Sequence, residues 1–363
     1  MRSNRLCFFN SNRPWGGGEH WHCQQALLAR DRGYDVSVVA GNGSELARSL
    51  RGEPGIRLFE QPLGSLSFLN PARMARLAAF FRAEAVEAVV LCLPRDVKAG
   101  GVAAKLAGVP RIIYRRGIAV PVRDRWLNRL LFSRVLTGLI VNSEATRRCV
   151  LAENPNLIAP ARVHLVYNGF DVAAFDARPD TPLAPRRPGE LLIGTAGRLT
   201  EQKGQRLLID AAAMLKAQGE RFRVLIAGTG ELEERLKAQA RERGVADVVE
   251  FLGFVTDMKA FHASLDVFAL PSLWEGFGFV LAEAMAMRLP VAAFDVSSVP
   301  EVVAHGETGL LSEPDAGRLA ANLRTLLHDA GLRRRLGEAG RARVLERFEL
   351  GQTFAQFERC LDS

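Results

Sequence analysis

Glu275 and Glu283 are separated by seven intervening residues in the run Pro271-Ser272-Leu273-Trp274-Glu275-Gly276-Phe277-Gly278-Phe279-Val280-Leu281-Ala282-Glu283. A carboxylate accepts two hydrogen bonds and so suits paired sugar hydroxyls. Glu275 falls in a glycine-bearing loop, and Glu283 falls about two turns into the helix expected to follow. If that helix starts near Phe277, its first N–H groups are free to meet phosphate or sugar oxygens. The plainer alternative is one solvated glutamate and one that stabilises a helix end. A second run, Gly197-Arg198-Leu199-Thr200-Glu201-Gln202-Lys203-Gly204, offers two cations. One is a planar fork and one a mobile point charge, a combination suited to a diphosphate. Two solvated surface cations are the alternative. A third run, Pro14-Trp15-Gly16-Gly17-Gly18-Glu19, lets backbone approach a ligand closely ahead of a helix N-terminus. It is not G-x-G-x-x-G, so no dinucleotide fingerprint is present, and a flexible turn without a ligand stays open.

The elements that must position these runs alternate, and they do so twice. Apolar, strand-sized runs at 6–9, 36–40, 88–93, 111–114, 138–142 and 163–167 are separated by helical patterns near 71–82, 97–107 and 123–136. Residues 176–190 then hold Pro179, Pro182, Pro185 and Pro188, a density that resists helix and sheet interiors and marks a linker. The alternation restarts with strands at 191–196, 222–227, 248–252, 267–270 and 291–294. Helices are expected at 205–218, 231–243, 279–287 and 315–328, and the Arg-rich stretch 332–361 is helical. This is an α/β chain of two facing Rossmann-like domains with parallel sheets. The expected division is 1–172, a Pro-rich linker at 173–190, a second domain at 191–345, and a C-terminal helix at 346–363 packing back toward the first domain. Ligands of such sheets bind at the carboxyl ends of the strands, so the cleft between the domains is the expected site.

The composition excludes several classes. The chain has 363 residues, 48% apolar and 24% charged, enough for packed cores and against wholesale disorder. No apolar run approaches the ~20 residues needed to span a bilayer, and the run at 6–9 is too short for a signal peptide, so a cytoplasmic location is expected. Cys7, Cys23, Cys92, Cys149 and Cys360 are odd in number and form no C-x-x-C, which reads as reduced packing thiols. His20, His22 and Cys23 lie close together but lack a fourth ligand, so no metal is expected. The net charge is +8, and the window 111–134 concentrates it, with seven arginines against the single acid Asp124. Such a window suits nucleic acid, an anionic membrane or a phosphorylated substrate, or is a solvated basic face. No helix-turn-helix, RRM or zinc motif supports nucleic acid.

Taken together and in order, these runs resemble the retaining glycosyltransferases of family 4, which have the GT-B architecture. The resemblance covers nearly the full length. Gly228-Thr229-Gly230-Glu231-Leu232, Phe251-Leu252-Gly253-Phe254-Val255, Pro300-Glu301, Gly306-Glu307-Thr308-Gly309-Leu310 and Asn168-Gly169-Phe170-Asp171 support it. The resemblance implies that Arg198 and Lys203 hold the donor diphosphate and that Glu283 holds the ribose hydroxyls. It puts Glu275 beside the donor sugar, the amides of Gly276, Phe277 and Gly278 on sugar and phosphate, and Phe254 near the base. Gly16 and Gly17 would meet the phosphate and acceptor, with Glu19 and His20 on the acceptor side. Arg198, Lys203 and Glu275 form the implied catalytic set.

The implied reaction moves a sugar from a nucleotide diphosphate sugar, with UDP favoured, to a phosphorylated or lipid-linked glycan of the lipopolysaccharide-core type. Same-face attack would retain the anomeric configuration, the leaving phosphate would take the acceptor proton, and no metal or cofactor would be required. Another GT-B enzyme, an epimerase or phosphorylase, or a non-catalytic nucleotide-sugar binding module is the alternative. The chain departs from the family where many members carry a histidine after the fourth strand. Here the sequence is Tyr114-Arg115-Arg116-Gly117. Arg115 and Arg116 suggest an anionic acceptor, or else pair with nearby acids. The basic window adds an expected peripheral contact with the inner face of the cytoplasmic membrane.

Overall fold

A computed structural model describes residues 4–362. Two compact units divide the chain between Asn168 and Gly169, and the first unit takes in residues from Phe354 onward as well.

The first unit is built on seven parallel strands: β1 (Arg5–Asn10), β2 (Asp35–Gly41), β3 (Ile56–Gln61), β4 (Ala88–Leu91), β5 (Arg111–Arg116), β6 (Gly138–Val141) and β7 (Val163–Leu165). Their order is β3-β2-β1-β4-β5-β6-β7. Parallel strands covered by helices on both faces read as continuous apolar runs. Accordingly every residue of β4 is buried, as are Leu6 to Asn10 of β1. Phe9, Phe81, Val89, Ile112 and Leu139 share one core cluster. Phe357 closes another part of this unit, with its ring 5.7 Å from Trp21 and 6.1 Å from Phe8. Nearby, Tyr34 Oη donates to Glu358 Oε1 at 3.0 Å.

The second unit holds six parallel strands: β8 (Leu191–Ala196), β9 (Phe222–Ala227), β10 (Val249–Gly253), β11 (Val267–Leu270), β12 (Val291–Phe294) and β13 (Gly309–Ser312). Their order is β10-β9-β8-β11-β12-β13. Ile193, Leu208, Val224, Ala269 and Leu323 lie in its core. In each unit the strand order reverses once, between β1 and β4 and between β8 and β11. Those reversals are where loops diverge to opposite faces and leave room for a ligand.

Two expectations change in extent. The helix expected over 123–136 is a short α-helix, Trp126–Leu130, continued by a wider turn, Leu131–Val135. Leu136 N donates to Leu131 O, five residues back, so the α repeat is broken there. The Pro-rich stretch is irregular, as its prolines require, but it is strapped to the second unit. Leu183 N donates to Ala260 O, Ala184 N to Ser264 Oγ and Arg223 to Pro185 O.

Candidate functional site

In the second unit, the loops after β8 (197–204) and β11 (271–278) dock on one another. Gly204 has φ +60°, and a Cβ there would stand 2.1 Å from Pro271 O, so no side chain fits at this approach. Leu273 N donates to Gln202 O at 2.8 Å and Gln202 Nε2 to Trp274 O at 3.0 Å. A second close approach links the loop after β9. Gly228 N donates to Gly253 O at 2.7 Å, and a Cβ on Gly228 would lie 2.0 Å from Gly197 O. Only glycine tolerates these two approaches, which explains Gly204 and Gly228.

This docking brings Lys203 to Glu275 across 72 residues of sequence. Lys203 Nζ donates to Glu275 Oε1 at 2.5 Å, and Ser272 Oγ donates to the same oxygen at 2.7 Å. Ser298 Oγ holds the backbone carbonyl of Glu275 at 3.2 Å. Glu275 is only 5% exposed, and its Oε2 makes no hydrogen bond among the described residues. An ammonium has three donors, so Lys203 keeps two beyond the one given to Glu275. Arg198 is exposed, and its side chain has no partner among the described residues. The helix Phe279–Ala286 begins after Gly278 with no side-chain cap, leaving its first N–H groups unclaimed by side chains. Phe277 buries its ring 5.3 Å from Phe348, so only its backbone and those of Gly276 and Gly278 are offered to a ligand. Phe254, 76% exposed, stands just past β10.

Glu283 is half-buried on that helix. Its Oε2 lies 3.3 Å from Nε2 of His262, a fully buried ring on the helix Met258–Ala263. A hydrogen bond to a carboxylate needs the proton on Nε2, which leaves Nδ1 as the buried ring nitrogen without a partner. Sequence reasoning missed His262. The pair is 21 residues apart on different helices, and no local spacing joins them.

In the first unit, the loops after β1 (10–16) and β4 (92–96) also meet. Ser11 Oγ donates to Asp96 Oδ1, Leu93 N to Asp96 Oδ2 at 3.0 Å, and Arg95 Nε to Ser11 Oγ at 2.8 Å. Burial pushes the Asp96 carboxyl up to about 7, against the opposing pull of these donors. The helix Gly17–Asp31 starts after Gly16 with no side-chain cap. Glu19 lies beneath the glycine loop, 3% exposed, and accepts from Asn10 Nδ2 at 3.0 Å. A Cβ on Gly16 would stand 3.1 Å from its other oxygen. Glu19 therefore shapes the loop from below, so the acceptor role implied for it finds little exposed carboxylate. His20 is half-buried, with the exposed Trp15 ring edge-on at 6.2 Å. His22 is fully buried, its Nδ1 on Gly18 O at 2.9 Å, and burial lowers its pKa to about 3.

Arg115 and Arg116 separate. Successive residues of a strand point to opposite faces, and β5 sends the two guanidiniums apart. Arg115 lies 4.8 Å over the Trp21 ring and donates to Asn168 Oδ1 at 2.6 Å. Arg116 shares its face with Tyr114, donating to Tyr114 Oη at 2.9 Å and to Val120 O at 2.6 Å. They are 3% and 6% exposed. The alternative of pairing with nearby acids does not hold, because neither has a carboxylate partner among the described residues. Their partners are an aromatic face and neutral oxygens.

Two family models match the chain. The description "Glycosyltransferase Family 4" covers residues 15–174, and "Glycosyl transferases group 1" covers residues 183–343. The α-maltose-1-phosphate synthase of Mycolicibacterium smegmatis is 31% identical over 285 residues, 69% of this chain and 72% of that protein.

The chain belongs to glycosyltransferase family 4.

WcaL of Salmonella typhimurium, named for colanic acid biosynthesis, is 35% identical over 221 residues, 58% of this chain. That match spans about half of the relative's own length, 48%. Among solved structures, Anabaena HepE in complex with UDP superposes with a TM-score of 0.81 over 99% of both chains at 22% identity. The two Rossmann-like units of this family member, each with one all-parallel sheet, match the GT-B glycosyltransferase structures. No helix among the described residues is long and apolar enough to cross a membrane.

Proposed function

We propose that this family 4 glycosyltransferase moves a sugar from a nucleotide diphosphate sugar, a UDP-sugar first, to a phosphorylated or lipid-linked glycan with retention of anomeric configuration. The observation that carries this reading is the Lys203–Glu275 pair at the β8/β11 strand reversal, beside the unpartnered Arg198 and the uncapped helix Phe279–Ala286. When the bond to the donor sugar breaks, negative charge grows on the outer phosphate. Arg198, the two remaining Lys203 donors and the helix-end amides stabilise it, each fixed donor being worth roughly 3–4 kcal/mol of barrier. Glu275 orients Lys203 and leaves Oε2 for the donor sugar. Glu283, steadied by His262, accepts the ribose hydroxyls. Attack on the same face lets the departing phosphate take the acceptor proton, so the scheme asks for no metal and no side-chain base.

The relative named for colanic acid biosynthesis and the neighbour solved with UDP support a bacterial surface glycan and a UDP donor. Such an acceptor would be met at the cytoplasmic face of the membrane, with the exposed Arg123, Arg125, Arg129 and Arg134 of the basic window as the contact, since Arg115 and Arg116 are buried.

The test is nucleotide release from UDP-sugars with and without phosphorylated and lipid-linked glycan acceptors, with the product anomer read by NMR. Acceptor-dependent UDP release and an α-linked product from an α-linked donor are expected. Release without acceptor, an epimerised sugar nucleotide or an inverted linkage would refute the reading.

A further inference from the structure

Beyond the carboxyl end of β5 lies a cavity of about 370 Å³, lined by cations and apolar groups from the segments 94–98 and 114–132. Lys98, Arg116, Arg123 and Arg125 line it with Tyr114 and Leu127, and no Asp or Glu does. None of the four cations forms an ion pair among the described residues. Lys98 sits 5.6 Å over the Phe68 ring, and Arg123 and Arg125 are exposed.

Arg116 is the unusual group. It is buried, only 6% exposed, and it bonds only to the neutral oxygens of Tyr114 and Val120. Its Nε–H has no partner. A buried charge without a counter-charge is costly, by several kcal/mol in a low-dielectric site. Here that charge opens onto a cavity that contains no acid, and the missing counter-charge is an anion from outside the chain. The surroundings say what carries it. Val120, a lining residue, is 43% exposed, Pro121 beside it is exposed and Leu127 is half-buried. A small inorganic anion would leave this apolar surface in water, whereas an anion with an apolar body covers it.

We propose that this cavity binds an amphiphilic phosphate, the anionic head against Arg116 with Lys98 and Arg123 at its mouth and the apolar body along Val120, Pro121 and Leu127. The proposal deepens the acceptor side of the function above, but its test uses no donor, so either can fail alone. Monomeric and membrane-borne phosphates share this chemistry, and the experiment separates them.

The full-length protein is titrated by calorimetry with octyl phosphate below its critical micelle concentration, with inorganic phosphate and with octanol. Binding is also measured to phosphatidylglycerol and phosphatidylcholine vesicles. Octyl phosphate should bind at least tenfold more tightly than either partial probe. Arg116→Gln should weaken it at least tenfold, with a circular dichroism spectrum unchanged from wild type. If Arg116→Gln does not fold, the mouth variant Lys98→Gln/Arg123→Gln decides, with at least a threefold loss expected. Octyl phosphate binding no better than inorganic phosphate overturns the proposal. So does binding, to monomer or to anionic vesicles, that is unchanged in the variants, whereas binding to anionic vesicles alone that is lost in Arg116→Gln supports the membrane-borne source. UDP binding unchanged in every variant keeps the result separate from the donor site.

Discussion

Lys203→Met tests whether the Lys203–Glu275 pair acts as one electrostatic unit. Methionine keeps much of the apolar stem and removes the charge. It leaves the Glu275 carboxylate, 6% exposed at its side chain, with Ser272 as its remaining donor. Removing one partner of a buried pair costs about 3–5 kcal/mol, because the other charge stays buried and uncompensated. The Lys203 side chain is 16% exposed, so the lower end applies. At roughly 2–4 °C per kcal/mol for a unit of this size, the second unit should melt about 6–12 °C lower. Adding Glu275→Gln removes the stranded charge. The double variant should then recover most of the loss and end about 1 kcal/mol below wild type, with a coupling energy of at least about 2 kcal/mol.

Scanning calorimetry of the four proteins measures this, with the second unit's transition assigned by its upward shift on adding UDP. Nucleotide affinity should behave differently. A charge-assisted hydrogen bond is worth about 1.5–3 kcal/mol, so both Lys203→Met and the double variant should bind UDP at least tenfold more weakly. Additive losses of stability would show that the pair is not coupled. Recovery of UDP affinity in the double variant would show that Lys203 shapes the site without touching the diphosphate.

Two predictions concern the first unit. Arg115→Ala empties the face of Trp21 and strands Asn168. It should lower this unit's stability by about 2–4 kcal/mol while leaving UDP affinity within twofold, and a loss of UDP affinity in a fully folded variant would contradict this placement. His22 and Asp96 set opposite pH dependences. The unfolded chain protonates His22 near 6.5 but the fold resists protonation down to about 3, so this group's stability is present above 6.5 and is lost as pH falls through that window. Asp96 keeps its proton in the fold up to about 7 but loses it near 3.8 when unfolded, so its contribution is present below 3.8 and lost as pH rises toward 7. Each is worth on the order of 4 kcal/mol over its window, and they largely cancel between about pH 4 and 6.5. Asp96→Asn should therefore expose a steep loss of stability on acidification below pH 6.5, measured by urea unfolding at a series of pH values. A flat profile would remove His22 as the acid-sensitive group.

The elements legible in the sequence were those whose burial is uniform. β1, β4 and β11 are covered on both faces and read as unbroken apolar runs. β3 went unread because it is only partly buried, and its charged Arg57 and Glu60 interrupt the apolar pattern. The chemistry followed the same division between local and distant. Glu275 and Glu283 share one loop and one helix, so their spacing is visible. Lys203 reaches Glu275 only because Gly204 slides under Pro271 O, and His262 reaches Glu283 only because two helices pack. No window of sequence carries either fact.

The arginines of β5 are a different case, because the information was present and its consequence lay in the period. Two adjacent cations at the end of a strand look like one basic clamp. A period of two sends them to opposite faces, so they cannot close on one anion together. Arg115 goes to Trp21 and Asn168, while Arg116 goes to Tyr114 and the cavity. The strand thus divides its charge between a buried aromatic contact and a site with an unpaired N–H. This division is why substituting Arg115 should be read in stability and substituting Arg116 in binding. A strand that placed both on one face would tie the two readouts together.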